Sequence, residues 1–273
     1  MLNGWKEEQR MHKLQDIMQL DIDYINEFSE MERCPEGVFF YNKEMPMYYD
    51  ANHAHIWKRV EQAETCLTSI KQFYHSKGLI PRMYLYNVEE NHHCVEALSS
   101  HGFQYESFTN DIQCWNGENV ILPNNPAIRI ERVTDTNVQE ALEVEMSIST
   151  FGEPALIKKA FDNMYRSPHF TYYLLKIDGV PCCTANLFIS GRQGRVESVA
   201  TLESYRGRGL IGYVLQHIQK EAVKRNLEHL WILPINEQVA KVYEKANFYS
   251  FGKIKSIHAF TEGKTIQEIR SAK

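Results

Sequence analysis

The sequence predicts an α/β protein of the α+β type, built from two units that each hold a mixed, largely antiparallel sheet flanked by helices. One observation is that strand-like and helix-like hydrophobic patterns alternate along the whole chain. A second is that turns at Asp178-Gly179 and at 190–194 join three consecutive strands into a meander. A third is a helix–turn–strand segment that recurs in both halves of the chain.

The first half begins with a long amphipathic helix, because apolar residues such as Leu14, Ile17 and Met18 recur at helical spacing. Runs rich in aromatic and aliphatic residues then alternate with helical patterns. The expected helices lie at 6–31, 57–76 and 91–100, and the expected strands lie at 38–41, 83–86 and 103–115.

A segment at 116–126, rich in Asn and Pro, is predicted to be a linker that divides the chain into domains 1–120 and 127–273. The second domain is expected to contain two helices, the meander, and then alternating helices and strands. The expected helices lie at 137–148, 154–165, 212–225 and 237–245, and the expected strands lie at 128–133, 171–177, 180–189, 195–202, 230–233 and 248–260.

The composition argues against several classes of protein. A net charge of −5 disfavours a general nucleic-acid binder, which would present a basic face. The sequence has no apolar run of about 18 residues, so no membrane partner is expected. The first residues do not resemble a signal peptide, so a cytoplasmic location is expected. The six cysteines are scattered without CxxC spacing, which predicts reduced thiols and no metal site.

The most informative motif is a glycine-rich loop at 205–212, between a predicted strand and a predicted helix. Glycines let the backbone approach an anion, and a helix N-terminus adds partial positive charge. Two arginines in Arg206-Gly207-Arg208-Gly209 add formal charge, so the loop predicts a phosphate-bearing ligand. Two alternatives stay open on the residues alone. One is a dinucleotide site, since Gly212 completes its glycine spacing and Glu228 lies near the required distance; the other is a turn without a ligand.

Two segments carry a resemblance to a known family. Arg206-Gly207-Arg208-Gly209-Leu210-Ile211 resembles the pyrophosphate-binding loop of the GNAT N-acetyltransferases, although Ile211 stands where Gly or Ala is usual. The run from Asn236 through Ala240 and Tyr243 to Asn247-Phe248 resembles a second family element. There Asn247 replaces the usual Gly, and Asn also tolerates the left-handed conformation. The resemblance covers about residues 127–260.

The resemblance implies acetyl-CoA as the co-substrate. In such enzymes the backbone of one strand runs beside the pantetheine and acetyl group, and the loop binds the pyrophosphate. The residues implied for acetyl-CoA binding are Val199, Ala200, Thr201, Arg206, Gly207, Arg208, Gly209, Leu210, Ile211, Gly212 and Asn236.

The resemblance also implies two catalytic residues. Tyr243 is the candidate general acid for the departing thiolate, and its alternative role is helix packing. Glu197 is the candidate general base. The alternative is that Glu197 is only an exposed or ion-paired glutamate and that a water relay acts as the base. Regular strand alternation predicts that Glu197, Val199 and Thr201 share one face.

The first half resembles a GNAT unit that has lost its cofactor loop, which makes the chain a tandem form of the family. Phe103 follows Asn91 by twelve positions, as Phe248 follows Asn236, and Leu98 stands at the position of Tyr243. Segment 48–55, expected where the loop would lie, has no glycine and no arginine. Chance similarity of two helix–turn–strand units is the alternative.

Two groups of residues outside these motifs need an interpretation. His53 and His55 would share one face of a strand near Asp50, but a third firm metal ligand is lacking. They are therefore interpreted as a hydrogen-bonding cluster or a substrate-contacting loop, and no metal is predicted. The weak candidates for the acceptor pocket are Tyr165, His169 and Tyr172.

The predicted function is transfer of an acetyl group from acetyl-CoA to a primary amine, by direct attack in a ternary complex. The amine acceptor is expected to be a small molecule or a peptide, and a homodimer is left open. Two alternatives stay open: a catalytically inactive CoA-binding sensor or scaffold, and transfer of another acyl group on the same fold.

Overall fold

The computed structural model describes residues 2–148 and 153–271. In chain order the helices are α1 (Leu2–Asn26), α2 (Ala63–Ser76), α3 (His92–Ala97), α4 (Val138–Met146), α5 (Pro154–Arg166), α6 (Leu210–Lys224), α7 (Glu237–Glu244) and α8 (Ile266–Ser271). The strands are β1 (Glu30–Cys34), β2 (Gly37–Tyr41), β3 (His53–Ile56), β4 (Arg82–Leu85), β5 (Gln104–Trp115), β6 (Ile128–Arg132), β7 (Phe170–Ile177), β8 (Val180–Ser190), β9 (Gln193–Thr201), β10 (His229–Ile232) and β11 (Phe248–Phe260).

The chain folds into two compact units. The first unit combines residues 1–27 with 112–251, and the second combines 28–111 with 252–273. Each unit holds a mixed, largely antiparallel sheet flanked by helices, as the sequence predicts. The boundaries run through β5 and β11, so neither unit is one continuous segment.

The sheet of the first unit has the strand order β5-β10-β9-β8-β7-β6, in which only β9 and β10 are parallel neighbours. Alternate β8 residues Cys183, Ala185 and Leu187 point into an apolar core formed with α6. The helix contributes Val214 and Ile218 to that core. The opposite face of the sheet packs against α1, α4 and α5. The loop that precedes α6 therefore lies on a rigid support.

The sheet of the second unit has the strand order β1-β2-β3-β4-β11, with β3 and β4 parallel. Ala54, Met83 and Leu85 face a core that also contains Leu67 and Ile70 of α2. The remaining face buries polar and aromatic side chains instead. Its fully or nearly fully buried polar members are His53, His55, Arg82 and His258.

An exchange of strands explains why the units differ from the predicted split at 1–120 and 127–273. The last strand of the first repeat, β5, pairs with β10, whereas the last strand of the second repeat, β11, pairs with β4. Each repeat therefore completes its sheet with a strand from the other repeat. A composition-based linker at 116–126 does not reveal this exchange, because strand pairing is a long-range property.

Several local expectations are corrected by the structure. Segment 57–62, not 48–55, connects β3 with α2 and so corresponds to the glycine-rich loop; it contains Arg59 but no glycine. The strands β1 and β3 and the final helix α8 are additional to the predicted elements. The helix α2 begins at Ala63 rather than at residue 57, and α6 begins at Leu210 rather than at residue 212. The remaining helices and strands lie close to their predicted positions.

Candidate active site

The glycine-rich loop turns from β9 into α6 through two left-handed residues. Gly207 has φ +76° and Gly209, which precedes the first helical residue, has φ +71°. A side chain at either position would meet no atom within 4 Å, so backbone conformation and not crowding requires glycine here. The same observation means that space lies open in front of both residues.

Five successive backbone N–H groups, from Gly207 to Ile211, donate to no acceptor in the described part of the chain. They lie at the start of a helix of fifteen residues, whose dipole adds to their partial positive charge. The Gly212 N–H differs, because it donates to Gly209 O at 3.1 Å. Gly212 instead allows close packing, since a side chain there would meet Leu122 at 3.4 Å.

The two arginines of the loop are exposed and bonded only to nearby backbone. Arg206 Nε donates to Thr201 O at 3.3 Å, and Arg208 donates to Ser204 O at 3.0 Å. The Arg208 guanidinium also lies 4.8 Å from the centre of the Tyr205 ring. Among the described residues, neither arginine forms an ion pair with a carboxylate, so both charges are available to an anion.

A β-bulge interrupts β9 at Ser198, which has φ +50°. On β8, Asn186 pairs with Glu197 and Thr184 pairs with Ala200, so β9 contains one more residue than β8 between these pairs. The pairing of β9 with β10 ends at Val196. Pro234 shortly after β10 explains this end, because proline cannot donate to a ladder.

Beyond Val196, the edge of β9 from Glu197 to Thr201 has no strand partner on the β10 side in the described part of the chain. Such an edge presents backbone donors and acceptors to an added strand. The bulge also corrects the predicted alternation. Val199 and Thr201 face the α6 core, where Thr201 contacts Cys183, whereas Glu197 lies on the opposite face.

Glu197 forms an ion pair with Arg195, and Arg195 also pairs with Asp21 of α1. The guanidinium stacks 4.4 Å from the centre of the Tyr24 ring. The two carboxylates raise the pKa of Arg195 although its burial opposes this. Arg195 and Glu197 share a face because they are two positions apart in a strand. This spacing could have predicted their ion pair from the sequence.

Tyr243 is the buried aromatic residue of α7, with 6% of its surface exposed. Burial raises the pKa of Tyr243, and the nearby Glu197 and Cys183 raise it further. The phenol therefore stays protonated at neutral pH. Its hydroxyl makes no hydrogen bond to the described residues, so it remains able to donate to a ligand.

Asn236 begins α7 and caps it, because its Oδ1 accepts from the Val239 N–H at 2.9 Å. This bond accounts for an asparagine at the first position of the second motif. The side chain is exposed, and its Nδ2 makes no hydrogen bond to the described residues. The amide can therefore cap the helix and donate to a ligand at the same time.

The structure places Tyr165 and Tyr172 beside a cavity of about 420 Å³ that Arg132 and Arg166 also line. Tyr165 donates to Asp135 at 2.8 Å. His169 lies outside that cavity lining, 3.2 Å from Ile189 O. Glu197 and Tyr243 are not among the residues that line this cavity.

Three histidines of the second unit, His53, His55 and His258, are buried. His53 and His55 share one face of β3, as predicted, with 3.3 Å between Nε2 and Nδ1. His258 accepts from Arg82 at 3.2 Å through Nε2 and donates from Nδ1 to Glu106 at 2.8 Å, so it is neutral. Over the described ranges, no three His, Cys, Asp or Glu side chains are arranged to hold a metal ion.

Residues 138–248 match the sequence profile of the acetyltransferase (GNAT) family. The matched segment contains the glycine-rich loop, the interrupted strand and Tyr243. The chain carries a GNAT domain. A search of curated protein sequences gave no match.

Solved structures share the fold over almost the whole chain. A GCN5-related N-acetyltransferase from Kribbella flavida has 16% identity and a TM-score of 0.70, covering 93% of this chain and 97% of its own. A functionally unknown conserved protein from Staphylococcus epidermidis ATCC 12228 has 12% identity and a TM-score of 0.69, covering 86% and 95%. At these identities the likeness concerns the fold, and it extends across both units.

A further property of the GNAT-containing chain concerns its helices. Over the residues that the structure describes, none of them has the length and apolar character needed to cross a membrane.

Proposed function

We propose that the first unit binds acetyl-CoA and transfers its acetyl group to a primary amine by direct attack in a ternary complex. The observation that carries this proposal is the combination of five free N–H groups at 207–211 with the open edge of β9. The first feature suits a pyrophosphate. The second suits the amide groups of pantetheine, which can pair with a strand edge.

The residues proposed for acetyl-CoA binding divide into two sets. Gly207, Arg208, Gly209, Leu210 and Ile211 offer backbone donors, and the guanidinium groups of Arg206 and Arg208 add charge. Gly212 supports the close packing of the helix start. Val199, Ala200 and Thr201 offer the backbone of the open edge, and Asn236 offers its free amide donor.

Acetyl-CoA supplies the activated acyl group as a thioester. A backbone N–H beside the bulge is suited to polarise a carbonyl that gains negative charge during attack. Glu197 is proposed to hold the acceptor ammonium and to take its proton, directly or through one water. Arg195 forms an ion pair with this carboxylate and so fixes its orientation.

Tyr243 is proposed to donate a hydrogen bond, and finally a proton, to the leaving thiolate. Its raised pKa suits the role of donor at neutral pH. In the complete step the amine nitrogen bonds to the acetyl carbon and the carbon–sulfur bond breaks. Glu197 takes one proton from the ammonium before attack and passes it to solvent. Tyr243 protonates the sulfur, and the second proton lost from nitrogen after the N–C bond forms restores the phenol.

The second unit is proposed to be a degenerate GNAT repeat that binds no acetyl-CoA. Its connection between β3 and α2, at 57–62, contains no glycine, and its strand β3 is paired to its end. The proposal therefore keeps the assignment from the sequence, in which residues 1–120 form the degenerate repeat and residues 127–273 form the acetyl-CoA-binding repeat. The two repeats exchange a strand.

Calorimetric titration with acetyl-CoA tests the proposal. The wild type is expected to bind, and the double variant Gly207→Asp, Gly209→Asp is expected to bind at least about 100-fold more weakly, because it adds two negative charges and strains two left-handed residues. Gly191→Asp is the matched control, since Gly191 also has positive φ and open space but lies in the β8–β9 hairpin.

Loss of binding in the Gly191 variant as well would show that the loop effect is only structural. Absence of binding by a folded wild type would exclude the acetyltransferase function. Binding of acetyl-CoA without thiol release across a panel of amines would favour a CoA-binding sensor. Faster thiol release from a longer acyl-CoA would favour a different acyl group.

A further inference from the structure

One layer of the first unit buries three polar side chains with atoms that lack hydrogen-bond partners within the described residues. Asn186 of β8 is fully buried, and neither its Oδ1 nor its Nδ2 has a hydrogen-bond partner. Thr184 Oγ1 on the same strand and Glu145 Oε1 of α4 are also unpaired. Such groups destabilise a folded protein, so three in one layer of a fold need an explanation.

The strand register puts this layer beside Glu197. Across β8 and β9, Asn186 is paired with Glu197 and Thr184 with Ala200, and paired residues of an antiparallel ladder project to the same face. Glu145 lies on the buried side of α4, the helix that packs on β8 and β9. The unpaired atoms therefore line the same side of the sheet as the proposed base.

Three other buried amides of this protein bond through both their oxygen and their nitrogen. Gln219 of α6 accepts from the Val120 N–H at 2.9 Å and donates to Ala246 O at 2.5 Å. Asn52 and Asn91 in the second unit also bond through both their oxygen and their nitrogen. These three amides contrast with Asn186, whose oxygen and nitrogen both lack a hydrogen-bond partner among the described residues.

We propose that Asn186, Thr184 and Glu145 recognise the acceptor, and that they select a polar primary amine with a hydrogen-bond donor and acceptor close to its amino group. This inference rests on the proposed function. The Asn186 amide offers one acceptor and a donor group, the Thr184 hydroxyl can do either, and the Glu145 carboxylate offers charge to an ammonium. An alkylamine would leave all three without partners and would be rejected.

The electrostatics of Glu145 agree with this role. Desolvation raises the pKa of Glu145 well above its usual value, because burial penalises the charged carboxylate. An ammonium beside it would favour the charged form. Ala200, opposite Thr184, adds only a methyl group to this layer.

A stability measurement separates recognition from architecture. Asn186→Leu and Thr184→Val remove unpaired polar atoms, so each is expected to raise Tm by about 2–6 °C. Gln219→Leu is the matched control. It removes an equally buried but bonded amide and is expected to lower Tm. A lower Tm for both Asn186→Leu and Thr184→Val would overturn the inference, because it would show that these groups are satisfied in the folded chain.

The rate of acetyl transfer to different amines measures the proposed selectivity for polar acceptors. Glycinamide and ethanolamine are compared with n-propylamine at equal free-amine concentration, with thiol release as the readout. The wild type is expected to prefer the polar amines by about tenfold or more in kcat/KM, through KM, and Asn186→Leu is expected to lose this preference. Calorimetric affinity for acetyl-CoA should stay unchanged in the variant.

The outcomes distinguish the two proposals. A wild type that binds acetyl-CoA and acetylates n-propylamine as well as glycinamide would overturn this inference and leave the proposed function intact. An unchanged preference in Asn186→Leu would do the same. A wild type that binds no acetyl-CoA would remove the proposed function, and this inference would fall with it.

Discussion

The two repeats share one strand order around a parallel pair, but they differ where that pair ends. In the second unit, β3 is paired with β4 to its last residue, and the Tyr86 N–H then bonds to Ile56 O at 2.8 Å. In the first unit, β9 continues from Glu197 to Thr201 beyond its last pair with β10. The same position is closed by hydrogen bonds in one repeat and open in the other.

The asparagine that begins the following helix shows the same contrast. Asn91 is fully buried and bonds to the Val60 N–H and to the backbone oxygens of Lys58, Tyr86 and Asn87. Asn236 is exposed and makes one cap bond, to Val239. Asn91 holds the connection between β3 and α2 in place through hydrogen bonds, whereas the amide donor of Asn236 makes no hydrogen bond to the described residues.

The helices also differ at the position that faces the parallel pair. Leu98 is fully buried in an apolar core, whereas Tyr243 brings a buried hydroxyl near Glu197 and Cys183. One scaffold can thus be a structural module or a candidate active site, and a few positions decide which. The contrast predicts where substitutions should change stability and where they should change chemistry.

The largest expected effect is on turnover at the tyrosine position. Tyr243→Phe should lower kcat by about 100-fold or more, because it removes the proposed proton donor. The affinity for acetyl-CoA, measured by calorimetry, should stay within about twofold, since the ring still packs.

The matched change in the other repeat is Leu98→Ala. It should cost about 2–5 kcal/mol of unfolding free energy through the cavity that it leaves, and it should leave the KM for acetyl-CoA unchanged. A Tyr243→Phe variant with full activity would make the two positions equivalent and would remove the catalytic role of the phenol.

The second expected effect concerns the two asparagines. Asn91→Ala should lower the unfolding free energy by about 2–4 kcal/mol, because it leaves several buried backbone groups unpaired. Asn236→Ala should cost only about 1 kcal/mol, the usual value of a helix cap. Urea unfolding measures both.

Asn236→Ser separates the two roles proposed for this residue. Serine preserves the cap but lacks the amide donor, so stability should return while acetyl-CoA binding stays weaker than in the wild type. Equal losses of stability for Asn91→Ala and Asn236→Ala would contradict the view that only one repeat is closed by its asparagine.

The sequence was sufficient to predict the fold class, the two-unit organisation and the turn from β9 into α6, because those depend on local patterns and on recognisable spacing. It did not indicate the bulge at Ser198, since no proline or glycine marks that residue and its φ of +50° depends on how three strands pair. The exchange of β5 and β11 was missed for the same reason. The unpaired state of Asn186 also depends on its neighbours in space.

The third prediction uses pH to separate the two units. Desolvation lowers the pKa of His258 to about 4, so the unfolded chain binds more protons than the folded chain between about pH 6.5 and 4. Stability of the second unit should therefore be complete above pH 6.5 and fall as the pH drops toward 4. The raised pKa of Glu145 has the opposite sign, because stability falls as the pH rises above the ordinary carboxyl value.

Hydrogen exchange, followed separately in β4 and in α4, measures this difference. On acidification from pH 7 to 5, protection in β4 should fall more than protection in α4. His258→Gln should flatten the response of β4. Parallel loss of protection in both units, unaffected by that substitution, would mean that the buried histidine does not control the acid response.

The smallest expected effect lies at the turn that ends each repeated helix. Gly102 has φ +79° and Asn247 has φ +64°, so both positions require the left-handed conformation. Asn247→Gly relieves strain but loses the bond from Asn247 Nδ2 to Glu118 O at 2.9 Å, so the change in unfolding free energy should stay within about 0.5 kcal/mol.

Gly102→Asn gains no such bond among the residues around it, because only Lys71 Nζ comes within 4 Å of the added carbon. It should therefore cost up to about 1 kcal/mol in urea unfolding. If the two exchanges had equal and opposite effects on the unfolding free energy, the bond to Glu118 would contribute nothing, and Asn247 would be less stabilising than the family's usual glycine at this position.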